Sequence, residues 1–252
     1  MLHYKTIGND PDRSWLVMIH GAGGSVETWF RQVPDFSRHF NLLLVDLAGH
    51  GDSQDGITKE SFTFEFMADQ IIEVLDHLKI EKAHFISLSI GCIVAQVIAA
   101  NYPERIKKMV MAGAITALNF KTKMIIHLAY IFRYTPQRIM TWLLVKGILP
   151  QKNTNRIYMK SARKVTTNSF LLWMSILIKV ESLISKLYNT KCEIPTLYLM
   201  GEKDILFLST AERSAKRNKE YSTFMVVPNA GHVCNIDNKA FFNKASIDYL
   251  LA

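Results

Sequence analysis

Ser89, Asp204 and His232 are the residues of this chain whose types and surroundings point to chemistry at a carbonyl carbon. A serine hydroxyl is a poor nucleophile near neutral pH and needs a base within hydrogen-bond reach as it attacks. An imidazole, with a reference pKa of about 6.5, is largely neutral at pH 7 and suits that work. A carboxylate behind the ring holds the tautomer that presents its free nitrogen and stabilises the imidazolium formed on attack. The tetrahedral oxyanion then needs donors, and a backbone N–H at the positive end of a helix is one.

Each of the three sits where a turn is expected. In Phe85-Ile86-Ser87-Leu88-Ser89-Ile90-Gly91 an apolar strand-like run becomes an apolar stretch at helical spacing within a few residues, which puts Ser89 on a tight turn with its hydroxyl free. Asp204 closes Gly201-Glu202-Lys203-Asp204, and His232 closes Pro228-Asn229-Ala230-Gly231-His232. Glu202 is a rival acid, and Asp204 has an alternative use as the cap of the helix after it. Asp237 and Asp248 follow His232 in the chain.

Strands are expected over 2–7, 15–19, 41–47, 83–86, 108–112, 194–200 and 223–227, and helices over 29–40, with Ser25 and Glu27 where the first could begin, and over 62–78, 90–102, 210–219 and 240–251. Ser61 or Thr63 offers a cap to the second of these helices. Strand and helix in alternation predict a mostly parallel sheet covered on both faces, an α/β fold, with ligands taken at the carboxyl ends of the strands. Ser89, Asp204 and His232 all fall there, as do the Gly-rich stretches His20-Gly21-Ala22-Gly23-Gly24 and Ala48-Gly49-His50-Gly51-Asp52-Ser53.

The rhythm breaks from residue 113 to about 189, where helices are expected over 124–131, 137–149, 157–165 and 169–188 with no strand between them. This divides the chain into core over 1–114, helical cap over 115–190 and core again over 191–252. The cap is rich in large apolar residues, among them Phe120, Phe132, Trp142, Leu143, Leu144, Phe170, Trp173 and Met174. They read either as packing or as the lining of a greasy pocket over Ser89. Arg133, Arg138, Lys146, Lys164 and Lys179 interrupt every apolar stretch short of the roughly 20 residues a membrane span needs, so no stable membrane insertion is expected.

Composition bounds the rest. At 252 residues, 49% hydrophobic and 21% charged, the chain is not disordered and can bury a large core. Thirty Lys and Arg against 22 Asp and Glu give a net +8, which favours anions or acidic surfaces. The excess reads as scattered, and Lys107-Lys108 and Lys216-Arg217 lack the interleaved aromatics of a nucleic-acid platform, so nucleic acid is not an expected partner. Cys92, Cys192 and Cys234 form no C-x-x-C pair, which excludes a zinc site or disulfide framework of that kind. With no basic region followed by an apolar run at the N-terminus, the expected setting is cytoplasmic. Cys92 reads as a buried helix residue, and Cys234, two positions past His232, as a thiol near the site.

On these residues the chain resembles the α/β-hydrolase superfamily. The family's nucleophile elbow is G-x-S-x-G. Ser89 and Gly91 match it, and Ser87, another small residue, stands at the first glycine. The order Ser89, Asp204, His232 is the family's own. The resemblance covers essentially the whole chain and implies Ser89 as nucleophile, Asp204 as acid and His232 as base. It also makes the 20–24 stretch the oxyanion loop, with the Ala22 and Ile90 N–H groups as donors, and the 46–53 stretch the family's D-x-x-G-x-G-x-S loop. Asp46 and His50 then belong to loop architecture, and Ser87 to packing. Members with this pattern are mostly cofactor-free esterases, thioesterases, lactonases and C–C hydrolases. Dehalogenases and epoxide hydrolases of the fold typically carry Asp at the nucleophile position, which Ser89 argues against.

Three classes follow. The first is an ester or thioester hydrolase acting on a small molecule under the cap, as monomer or homodimer, without cofactor or metal. The second is a C–C hydrolase using the same three residues, with Arg133, Arg138, Lys160 or Arg163 holding a carboxylate. The third is a ligand receptor or regulatory protein on the same fold.

Overall fold

The computed structural model describes residues 1–54, 61–136, 139, 140, 142, 143, 146, 159 and 164–252. Seven strands form one sheet: β1 (Tyr4–Ile7), β2 (Trp15–Ile19), β3 (Asn41–Val45), β4 (Ala83–Leu88), β5 (Ile106–Ala112), β6 (Thr196–Gly201) and β7 (Ser222–Val227). Their order is β1-β3-β2-β4-β5-β6-β7, with β1 antiparallel to β3 and every other pairing parallel. All seven stand where the apolar runs predict them. In β2, Val17 and Ile19 enter one core and Leu16 and Met18 the other, the two-residue alternation of a strand covered on both faces.

Helices α1 (Val33–Phe36), α2 (Phe64–His77) and α3 (Ile90–Asn101) belong to the first half of the core. Thr63, not Ser61, caps α2, accepting from the Phe66 N–H at 3.0 Å. The helix buries Phe64, Met67, Ala68, Ile71, Ile72, Val74 and Leu75 against α3 and the sheet. The continuous helix expected over 29–40 is a 3₁₀ turn at Val26–Trp29 followed by the single turn of α1. Pro34 has no N–H to extend a helix from the residues before it. The buried Gln32 side chain instead donates to the Asn235 carbonyl and the Asn243 side chain.

The cap contributes α4 (Phe120–Ile131), α5 (Thr167–Leu177) and α6 (Val180–Asn189). It leaves the sheet after β5 and returns at β6, which is β5's neighbour. Asn119 starts α4 one turn earlier than the apolar spacing suggests, accepting from the Thr122 N–H at 3.0 Å. The helix expected over 169–188 breaks at Ile178-Lys179 into α5 and α6. The expected helices over 137–149 and 157–165 lie largely outside the described residues, as do Arg138, Leu144, Lys160 and Arg163. Three helices complete the core: α7 (Leu208–Arg217), the short α8 (Cys234–Asp237) and α9 (Lys239–Leu251). Among the described residues no helix is long and apolar enough to cross a membrane.

Candidate active site

The carboxyl ends of β2, β3, β4, β6 and β7 build the site. β4 ends at Leu88 and α3 begins at Ile90, so Ser89 makes the whole connection, at φ 53° and ψ −117°. A positive φ is strained for any residue with a Cβ and persists only where the surroundings impose it. Gly91 is one imposing element: a Cβ there would lie 2.5 Å from the His20 carbonyl oxygen. Ser87, buried behind the turn, donates to Cys92 Sγ at 3.4 Å, in keeping with a packing role.

Asp204 follows β6 and His232 follows β7, and parallel pairing of β5, β6 and β7 brings both beside Ser89. His232 Nδ1–H donates to Asp204 Oδ2 at 2.8 Å, and Ser89 Oγ–H donates to His232 Nε2 at 2.8 Å. An ionised carboxylate can only accept, so the bond to Asp204 fixes the proton on Nδ1. Asp204 and His232 are 3% and 5% exposed, which keeps the pair out of bulk water. The other carboxylate oxygen of Asp204 accepts from the Leu206 and Phe207 N–H groups at 3.3 and 3.2 Å. Its two readings, partner of the histidine and cap of the following turn, thus coexist. The rival Glu202 is exposed and accepts from the Asn229 N–H at 2.9 Å, while Asp237 accepts from the Gly231 N–H at 2.8 Å. Both brace the histidine loop without reaching the ring in these contacts.

Two histidines hold the Gly-rich loops. His20, pointing down from the end of β2, donates from Nδ1 to the Gly21 carbonyl and accepts from the Leu47 N–H at 3.0 Å. His50 accepts from the Gly23 N–H at 2.9 Å. Burial holds both rings neutral, with His50 further lowered by His20 to about 3. His50 therefore serves the loop and not the serine, and it occupies Gly23. Among the described residues the N–H groups of Ala22 and Ile90 meet no acceptor, and both residues line the cavity beside Ser89. Asp46 accepts from the Val26 and Asp52 N–H groups and from His3 Nδ1, tying β1 to both loops. His3, Asp46 and Asp52 are also the one group among the described residues with metal-ligand atoms close together. Asp46 is already engaged there by those donors.

Above Ser89 lies a cavity of about 230 Å³. Its roof is Thr122, Ile125, Ile126 and Ala129 of α4, Phe170, Trp173, Met174 and Leu177 of α5, and Val180; its walls include Ile93, Ile115, Leu118, Leu206 and Phe207. Apart from His50 and His232, none of the described lining residues is ionisable. Arg133, the described member of the basic set considered for a carboxylate, lies instead over the rings of Tyr130 and Tyr134 at 4.1 and 4.5 Å. Of the cap residues considered for lining, Phe170, Trp173 and Met174 do so, whereas Phe120, Phe132, Trp142 and Leu143 face solvent. Cys234, expected as a thiol near the site, is fully buried, with its Sγ 3.5 Å from the Leu199 carbonyl, and burial pushes the thiol up out of the reactive range.

Three supports were not singled out from sequence. Gly113, after β5, has φ +53° and passes so close to His232 that a Cβ would lie 2.5 Å from its carbonyl oxygen. Asn119 Nδ2 donates to the Leu206 carbonyl at 2.9 Å, joining α4 to the Asp204 loop. Trp173 Nε1–H donates to the Ala48 carbonyl at 3.1 Å, joining α5 to the loop after β3. A glycine directly after a buried strand was a legible signal for the first. The other two depend on cap packing, which local sequence does not encode.

Comparison with known proteins agrees with the architecture. The sequence profile of the alpha/beta hydrolase fold matches residues 14–239. A protein of Pantoea ananatis described as a putative carbamate hydrolase RutD is 23% identical over 99% of this chain and 93% of its own. Among solved structures, the enol-lactonase of Burkholderia xenovorans LB400 superposes with a TM-score of 0.85 at 19% identity, covering 100% of this chain and 96% of that one. The esterase EaEST of Exiguobacterium antarcticum superposes with a TM-score of 0.86 at 18% identity, with coverages of 100% and 96%.

Proposed function

The chain belongs to the alpha/beta hydrolase fold family, and from that premise we propose that it is a cofactor-independent serine hydrolase. Its substrate is a carboxylic ester or thioester with a small to medium, mainly apolar acyl group, cleaved through an acyl-enzyme on Ser89. The observation that carries this reading is His232, bonded at 2.8 Å through one ring nitrogen to Asp204 and through the other to Ser89. Ser89 Oγ attacks the carbonyl carbon as its proton passes to His232 Nε2, and Asp204 stabilises the imidazolium. The Ala22 and Ile90 N–H groups receive the oxyanion. The imidazolium then protonates the leaving alcohol or thiol, and water, activated by the same ring, releases the acid. Residues 115–190 form the cap of this enzyme, and 1–114 with 191–252 its core. Three free cysteines, two of them buried, suit a reducing, cytoplasmic setting.

The described lining is apolar apart from His50 and His232, and Arg133, the described candidate for holding a carboxylate, stacks on Tyr130 and Tyr134 outside it, which supports an apolar acyl group. The cavity volume of about 230 Å³ falls below the roughly 300–1,000 Å³ of pockets for drug-sized ligands, which suits a modest acyl chain. Each methylene buried there contributes about 0.8 kcal/mol, so two to six carbons would raise kcat/KM by at most a few hundred-fold. Chains of roughly four to eight carbons are therefore preferred over acetate.

The test joins labelling to turnover. A fluorophosphonate probe should add one mass increment to the wild type and none to Ser89→Ala, and p-nitrophenyl hexanoate should be hydrolysed faster than acetate. Undiminished labelling of Ser89→Ala overturns the nucleophile. Labelling without turnover of any ester in the series points to the receptor class, and cleavage of a carboxylate-bearing diketone alone points to the C–C class.

A further inference from the structure

Helix α4 is apolar on two sides and covered on one. Its inner side, with Ile125, Ile126 and Ala129, lines the cavity. Along its outer side Phe120, Met124, Leu128, Ile131 and Phe132 stand in solvent, exposed by 81%, 47%, 47%, 64% and 55%. Contiguous exposed apolar surface marks a place of contact.

Charge identifies what that contact is. The positive excess, which reads along the chain as scattered, is concentrated in the cap: residues 115–190 hold twelve of the 30 Lys and Arg and one of the 22 Asp and Glu, a net +11. The remainder, with 18 basic and 21 acidic residues, is net −3. The single acid, Glu181, pairs with Lys123 of α4. Lys121 is exposed within the outer face, and Arg133 just beyond it stacks on Tyr134, itself 75% exposed. Aliphatic and aromatic side chains bordered by Lys, Arg and Tyr make up the composition of a bilayer interface.

We infer that the outer face of α4 docks on a membrane carrying anionic lipids, the helix lying in the interface with its apolar stripe among the acyl chains and its cations at headgroup level. A second copy of the chain is a poorer occupant, because Lys121 and Arg133 of each copy would meet like charges across the contact. A polynucleotide is poorer as well, since the stripe offers Met, Leu and Ile where bases need stacking platforms. The inference is independent of the catalytic reading, and the roof of the cavity would be the helix that meets the lipid.

Vesicle co-sedimentation tests it with the full chain. The protein should pellet with phosphatidylcholine vesicles containing about 30% phosphatidylglycerol, stay in solution with phosphatidylcholine alone, and be released as salt rises to about 0.5 M. Met124→Ser/Leu128→Ser and, separately, Lys121→Glu/Arg133→Glu should each lower partitioning at least ~10-fold while the melting temperature stays within a few degrees of wild type. The charge pair keeps the test valid if the apolar pair fails to fold. The inference is overturned if the wild type ignores anionic vesicles, if it binds neutral and anionic vesicles equally, or if both variants partition as wild type. It is also overturned if single-stranded RNA displaces the protein from vesicles, or if the protein is a dimer in solution that Met124→Ser/Leu128→Ser dissociates.

Discussion

Ser89, His232 and Asp204 are separated widely in sequence yet joined by two hydrogen bonds of 2.8 Å. The assignment of the acid can be decided by substitution. Asp204→Asn keeps the size and the turn but loses the preference for the Nδ1 proton, so kcat should fall by about 10⁴-fold with little change in melting temperature. Glu202→Gln, at an exposed loop brace, should keep turnover within a few-fold. Steady-state kinetics of both variants checks this, and the reverse ranking would move the acid to Glu202. Each of the three was legible as a candidate because it follows a largely apolar, strand-like run, and the strand ends define where a ligand meets the sheet. Gly113 was legible as a glycine directly after a buried strand, but what leaves no room for a Cβ there is His232, a residue far along the chain.

Among elements, the strands were read nearly to the residue and the cap was not. A strand buried on both faces announces itself by composition, as WLVMI and NLLLV do. A cap helix apolar on two sides carries no local mark of which side faces in, which is why Phe120 and Phe132 were candidates for lining and Ile125 and Ile126 were not. Between cap and core, Leu172, Trp173, Val180 and Ile184 pack into the core on one face of the sheet. Trp173 meets the rings of His50, Phe62 and Phe64 at 5.0, 5.4 and 6.0 Å and donates to the Ala48 carbonyl. Trp173→Phe keeps a ring and removes the donor, leaving that carbonyl with the long 3.4 Å contact from His50. The loss should cost about 1–2 kcal/mol, or roughly 2–8 °C of melting temperature for a chain of this size. Scanning calorimetry measures it, and an unchanged melting temperature would mean that α5 does not help to hold the loop after β3.

For the molecule as a whole, buried histidines set the response to acid. Burial lowers His20, His50 and His84, with His50 at about 3 and His84, beside Lys107 and Lys108, at about 4. In the unfolded chain the same rings take protons near pH 6.5. Between the two values the unfolded state binds more protons, so stability rises with pH across that window and is lost as pH falls from about 6.5 towards 4 and below. The melting temperature should be level above about pH 7.5 and drop steeply below about pH 6, with a shallower drop in His84→Gln. A melting temperature independent of pH from about 5 to 7 would contradict this. Chain order adds a consequence in time. Ser89 and the ring bonded to it are 143 residues apart, so at about 5–20 residues per second a ribosome takes roughly 7–30 s to supply His232 after Ser89. On the proposed mechanism the elbow serine has no base throughout that interval, and the nascent chain can meet every ester in its surroundings without reacting with any of them.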